Sequence, residues 1–553
     1  MNTFKKKSLH AAVLAGLGAL GAAGTANAVH INPDGLGQVV IYPYFTVRNG
    51  NATLMSIINT TSLTKAVKVR FLEGKNSREV LDFNLFLSPQ DIWTGVILAT
   101  ADGAKLETGD NSCVTPSDLF GNSTGVLRTD SLGLPLNSFK NYQYTGANVD
   151  NTLFGTLDRT REGYIEVIEM GVVVDATLTG FIKHNSAGVP ANCAALDAYD
   201  GLSTSPTPVV KFPGTAAAPT LYLTSPAGGL TGRASLINSA AGTNYTYDVT
   251  VLDGWWAPAV PAGGNVPYSA SGVTTPSISL QTGIDTVSNV FVTGNPAVPN
   301  SAGVVRAVWP TSREAVSSVF MRDTVINEFV TDAGTVSKTD WVVTMPTKRD
   351  NIGVGSGTPN RPFSNNFNNT AAGSGACDAY AIGMYNREEQ TITAAPGTLL
   401  PSPRPPAASA AGQNLCWEAN VIEFASTGLL GSSNNTRLLN GYDTFAASGA
   451  VSTGAAFATL SRRVLQGPNG WAFLSFGTVA SASQAQQSMT PTSTTLNGGA
   501  VVAGVFTPGA SEVPPRTFYG LPMIGAMFHN YTNSGVASSY GGVIPHKYTR
   551  LIQ

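Results

Sequence analysis

The sequence predicts a mainly β chain, a multi-domain antiparallel β-sandwich of immunoglobulin-like kind with few helices. Three observations carry that prediction. Apolar and polar residues alternate at period two: Val67, Val69 and Phe71 interleave with Lys68 and Arg70, the mark of a strand with one face buried and one wet. The apolar runs are joined by turns too short for the crossovers that parallel strands need, so pairing is antiparallel. Composition is that of a folded, weakly charged polymer, 42% hydrophobic and 12% charged, in a chain of 553 residues that is too long for one core.

The elements follow in order. Residues 1–28 read as a secretory signal peptide: Lys5, Lys6 and Lys7 precede an apolar run from Ala11 to Ala23, and Ala26-Asn27-Ala28 supplies an A-x-A exit before Val29. A first domain is expected over 29–203. It opens with the run Val39 to Val47 and a hairpin cue at Asn49-Gly50, and Pro43 places that first strand at an edge or on a bulge. Leu81, Phe83, Leu85 and Leu87 give a further strand by alternation. After a loop-rich stretch, strands return at Gly163 to Glu169 and at Val172 to Val174.

Pro206, Pro208, Pro213 and Pro219 mark a break between Ser203 and Pro219, and a second β domain with one helix is expected over 220–350. The helix is predicted from Ser312 to about Val330, with Thr311 and Glu314 as a capping box. Residues 351–553 are expected to form a C-terminal β domain with long loops and strands at Val421 to Phe424 and Trp471 to Phe476. Its low-complexity segment Ser481 to Gly499 reads as a loop.

Cys113, Cys193, Cys377 and Cys416 are the only cysteines. An even count in an exported chain reads as two disulfides, and local closure favours Cys113 with Cys193 and Cys377 with Cys416. The spacings contain no C-x-x-C and fit no zinc arrangement.

Function classes are narrowed by what the residues can do. With 32 Lys+Arg against 34 Asp+Glu, and no basic stripe, nucleic acid is not an expected partner. After the leader no apolar run is long enough for a membrane helix. The histidines His30, His184, His529 and His546 form no H-E-x-x-H, so no metal site is predicted. His529 and His546 are the one pair close enough in sequence to converge. No cofactor is expected, although loop carboxylates at Asp110-Asn111 and Asp197 to Gly201 leave calcium possible. Gly121 to Gly125 matches G-x-S-x-G around Ser123, but no strand leads in and no helix follows, as a nucleophile elbow requires. Glu166 with Glu169, and Glu388 with Glu389, are weak candidates for paired glycosidase acids, since strand neighbours three apart point to opposite faces. Trp255-Trp256, with Tyr245 and Tyr247 nearby, is the candidate aromatic platform for a sugar ring or a protein partner.

Tyr42-Pro43-Tyr44-Phe45-Thr46-Val47, Val67 to Glu73, Leu81 to Leu85, Asp340 to Arg349 and Cys416-Trp417-Glu418-Ala419-Asn420 resemble a family of uncharacterised exported proteobacterial proteins, hypothetical or cell-surface, over most of the chain. The resemblance implies a Gram-negative exported protein and brings no catalytic residue or ligand with it. The expectation is a non-enzymatic cell-surface or extracellular-matrix protein of structural or adhesive role. Its partners would be copies of itself or cell-envelope components. A secreted hydrolase and a glycan-binding envelope module are the alternatives.

Overall fold

The computed structural model describes residues 28–121, 129–130, 133–144, 156–201, 222–257, 266–292, 303–331, 335–352, 360–367, 376–387, 414–424, 428–439, 442–443, 469–476, 487–496, 501–502, 505–506, 514–532 and 539–553. The expected signal peptide, the proline-rich break at Ser203 to Pro219, and Ser123, Glu388 and Glu389 lie outside the described residues, Ala28 alone excepted.

The antiparallel β-sandwich is present. Its larger sheet runs His30–Ile31, Thr250–Asp253, Val39–Thr46, Glu162–Val173, Lys65–Glu73, Glu79–Leu87, Cys113–Thr115, with Leu223–Thr224 added on Glu162–Val173. The facing sheet runs Thr243–Asp248, Leu230–Asn238, Ala52–Asn59, Ile92–Ala99, Ala104–Glu107. Val67, Val69, Phe71, Phe83 and Leu85 from the first meet Met55, Ile57, Trp93, Ile97 and Leu236 from the second in one core. This is what period-two alternation demands of two facing sheets.

One local expectation is corrected by this arrangement and another is met. The turn Arg48–Gly50 makes no hairpin: the strands it joins lie in different sheets, Val39–Thr46 between Thr250–Asp253 and Glu162–Val173, and Ala52–Asn59 between Leu230–Asn238 and Ile92–Ala99. Every residue of Val39–Thr46 is buried, so that strand needs neighbours on both edges and takes them from far along the chain. Pro43 sits at the register shift between Tyr42 and Phe45, the bulge that its missing N–H requires.

The boundary between a 29–203 and a 220–350 domain is also corrected. Leu230–Asn238 and Thr250–Asp253 complete the two sheets begun by Ala52–Asn59 and Val39–Thr46, so strands on both sides of residues 203–220 share one core. Nor does 351–553 stand apart, because Lys338–Thr344 lies between Ala419–Glu423 and Ile524–Thr532.

That C-terminal part is a second pair of layers. A six-stranded sheet runs Tyr442–Asp443, Asn435–Leu439, Ala419–Glu423, Lys338–Thr344, Ile524–Thr532, Ser539–Pro545, and its pairing of Ala419–Glu423 with Asn435–Leu439 is parallel. A four-stranded sheet runs Ala381–Asn386, Asn469–Ser475, Thr324–Val330, Lys547–Thr549. Trp341, Val343, Ile422 and Met527 pack against Val325, Phe329, Met384 and Leu474 between them. The opposite face of the six-stranded sheet, through Val342, Val421 and Phe528, joins the first core.

The helix begins as predicted, with Thr311 and Glu314 closing a capping box, but it ends at Phe320. Thr324–Val330 is instead a strand with alternating burial. Its residues Val325, Ile326 and Val330 are β-branched, and such side chains fit a pleated surface better than a helix. Within Ser481 to Gly499, Ser488–Met489 and Ser493–Leu496 are strands.

The expected disulfides are formed: Cys113 with Cys193 and Cys377 with Cys416.

Candidate functional site

The alternating polar residues expected to face water are buried. Lys68 and Asn84 are fully sealed and Arg70 is nearly so, because residues 266–280 cover the outer face of the large sheet. Lys68 Nζ donates to Asp82 and to the Ala270 carbonyl, and Asn84 Nδ2 donates to Asp200 and to the Ser269 carbonyl. Arg70 Nε donates to Glu79 at 2.6 Å and its Nη1 to Glu166. Burial raises Glu166, to about 7, against the opposing pull of Arg70. Glu169 engages a different cation, Lys65, at 2.7 Å. The two glutamates thus serve separate buried ion pairs, and neither carboxylate is open to a substrate.

The remaining candidate groups among the described residues are also spent on the fold. Asp197 accepts from the Ser117 amide and hydroxyl, Asp110 from the Ser112 amide and hydroxyl, and among the described residues no three His, Cys, Asp or Glu side chains cluster to hold a metal ion. His529 contacts Met527 and Tyr531, whereas His546 bonds Asn327 and the Val342 carbonyl, so the two share no partner. His184 does meet a serine and an acid: Ser88 Oγ lies 3.0 Å and Asp91 Oδ2 3.7 Å from its Nδ1. Both approach the same ring nitrogen, and Ser88 Oγ also lies within hydrogen-bond reach of Asp91. A nucleophilic triad needs serine and acid on opposite nitrogens, so this cluster cannot relay a proton from serine to acid.

The platform expected at Trp255 and Trp256 is corrected by their burial. They are 0% and 2% exposed, Trp255 Nε1 donates to the Ile278 carbonyl at 2.8 Å, and both pack with Trp309, Phe320 and Phe518. A large apolar ring gains more in that core than in water, and no face is left for a ligand.

An open aromatic surface stands elsewhere, on the outer face of the four-stranded sheet. Tyr385 and Trp471 are directly opposed across the strand pair, their rings stacked with centroids 4.8 Å apart and planes 15° apart. Phe473 extends the strip, 6.0 Å from Trp471. Opposite Phe473 stands Gly383, where a Cβ would lie 2.3 Å from the phenyl ring, so the missing side chain lets Phe473 lie flat across the sheet. Trp471 is 41% exposed. On its other side it faces Glu328, and the next pair on that face is Ile326 with Lys547. Glu328 and Lys547 are exposed, which puts one acid and one base beside an apolar strip.

Alternation fixes this geometry: Ala472 and Leu474 point into the core and Trp471 and Phe473 out. The sequence shows the Trp471 strand, but not that its aromatic face stays uncovered, nor that Tyr385 lies beside it.

No protein-family model, curated protein or solved structure matches the chain.

Proposed function

We propose that this chain is an exported, non-enzymatic protein of the cell surface or extracellular matrix, and that it adheres to envelope polysaccharide through the Tyr385–Trp471–Phe473 strip. The observation that carries the reading is this stacked strip on a sheet face, exposed at Trp471 and half-buried at Tyr385 and Phe473. Flat aromatic faces attract the C–H face of a pyranose ring, and rigid rings lose little entropy when they do so. Glu328 and Lys547 supply hydrogen-bonding groups for sugar hydroxyls at its margin. Exposed aromatic patches on a β-sheet are otherwise a liability.

Export is supported by the leader-like first 28 residues and by two disulfides, which persist in oxidising compartments. No helix of the described residues is long and apolar enough to cross a membrane. A non-enzymatic role is supported by the sealed state of Glu166 and Glu169 and by the misdirected Ser88–His184–Asp91 cluster.

The test is retention of the purified mature protein on immobilised peptidoglycan and lipopolysaccharide, alongside Trp471→Ala and Tyr385→Ala. Retention of the wild type and its loss in both variants, with circular dichroism unchanged, is expected. Equal retention of all three, or none by the wild type, would sink the adhesive reading. Recovery of the protein from the cytoplasm with Met1 intact would sink export.

A further inference from the structure

A second site, independent of the aromatic strip, lies on the opposite side of the same sheet. Between it and the strand Ile524–Thr532 is a cavity of about 170 Å³. Its wall is mostly apolar, with Ile31, Val325, Val343, Met523, Ile524 and Pro545, and it holds one charge, Arg322.

Arg322 lies two residues past the end of the helix Ser312–Phe320 and is 4% exposed. Its Nη1 donates to the Val319 and Met321 carbonyls at 3.1 and 2.8 Å, where helix-end carbonyls lack intrahelical partners. Its guanidinium carbon lies 3.7 Å from the Tyr548 ring centroid. Among the described residues no carboxylate pairs with it. A charge of the same sign acts on it: Arg550, whose guanidinium carbon lies 5.0 Å from the same ring and whose Nη1 and Nη2 are taken up by the Phe291 and Val319 carbonyls. Among the described residues, Nε and Nη2 of Arg322 have no acceptor.

A guanidinium has five N–H donors in a planar fork, and the Nε–Nη2 edge is one that grips a carboxylate with two parallel bonds. A buried cation without a counter-ion is costly. Burial and the Arg550 charge both disfavour its protonated form, and guanidinium stays protonated in proteins nonetheless.

The geometry points to a pocket for a short-chain carboxylate, its carboxyl group held by the free edge of Arg322 and its apolar tail against Val325, Val343 and Met523. One monovalent fork and an apolar wall suit a carboxylate better than a phosphate dianion, which would find too few donors. His546, at the same wall, has both ring nitrogens engaged, by Asn327 and by the Val342 carbonyl, and so adds no donor.

Calorimetric titration of the intact mature protein with hexanoate, hexanol and inorganic phosphate tests this. Hexanoate is expected to bind at least about ten-fold more tightly than hexanol or phosphate, through the charge-assisted fork, and to lose about ten-fold or more in Arg322→Met. Met523→Trp, which fills the cavity and leaves the arginine, is expected to lose binding equally, and it decides alone if Arg322→Met does not fold. Equal affinity for hexanol, equal affinity for phosphate, or hexanoate binding undiminished in these variants would overturn the assignment.

Discussion

Asp340 and Glu423 stand directly opposite each other on adjacent strands, both 0% exposed. Asp340 Oδ2 accepts from the Leu429 and Leu430 amides at 2.7 and 2.8 Å, yet burial, aided by the Glu423 charge, raises its carboxyl to about 8.

The sign of the resulting pH dependence is fixed. Between about pH 4 and 8 the unfolded chain has released the Asp340 proton and the folded chain keeps it. Stability from this group is therefore full below the unfolded value and falls as pH rises towards 8, by up to about 1.4 kcal/mol per unit. His546, held down at about 4 by burial, acts oppositely, but only below about 6.5. Urea unfolding is expected to show lower stability at pH 8.5 than at 6.5, with a flatter profile in Asp340→Asn, which keeps an oxygen for both amides. A wild-type profile that is flat or rises across this window would refute the assignment.

Glu162 ties the sandwich to residues 428–434. It accepts from Tyr44 and Arg48 on one side, and from the Ser432 hydroxyl and the Ser433 amide and hydroxyl on the other, at 2.5 to 2.9 Å. Glu162→Ala strands these donors and is expected to cost about 3–5 kcal/mol in urea unfolding, with Glu162→Gln costing less. Earlier proteolysis within 428–434 should accompany the loss. An alanine variant within about 1 kcal/mol of the wild type would show that the hub is dispensable.

The disulfides close spans of 80 and 39 residues. On the chain-entropy model each contributes about 3–5 kcal/mol, and a doubling of span adds only about 0.6 kcal/mol. Cys113→Ala/Cys193→Ala and Cys377→Ala/Cys416→Ala are therefore expected to lose similar stability in denaturant titrations. A difference above about 2 kcal/mol would mean that packing rather than loop closure dominates one bridge.

Trp471 is 41% exposed, whereas Trp93, Trp255, Trp256, Trp309 and Trp341 are buried. Iodide quenching of tryptophan emission is expected to fall sharply in Trp471→Phe, and polysaccharide titration should quench the same fraction. Undiminished quenching in the variant would place the accessible indole elsewhere.

Local rules were enough for some of this architecture. Alternation located Lys65–Glu73 and Glu79–Leu87, Thr311 and Glu314 announced the helix start, and local closure paired the cysteines. What alternation cannot supply is the identity of the layer above a polar row. Lys68, Arg70 and Asn84 look solvated until residues 266–280 and Asp350 are laid over them from about 200 to 280 residues away. The same ignorance made Trp255-Trp256 look like a platform and left the Tyr385–Trp471 face unnoticed: an indole reads alike whether the fold covers it or not. The expected helix overruns its true end because Phe329 extends the apolar face of Val316, Val319 and Phe320 as well as it fits a strand, until its partner Gly470 is known.

The pairing of Val39–Thr46 with Thr250–Asp253 sets a timetable. A ribosome adding roughly 5–20 residues per second leaves the first strand waiting about 10–40 s for that neighbour, and one edge of a strand that is wholly buried in the fold stays unpaired meanwhile. Chains truncated before residue 250 should therefore remain holdase clients, whereas the full-length chain, which carries this late strand, is released.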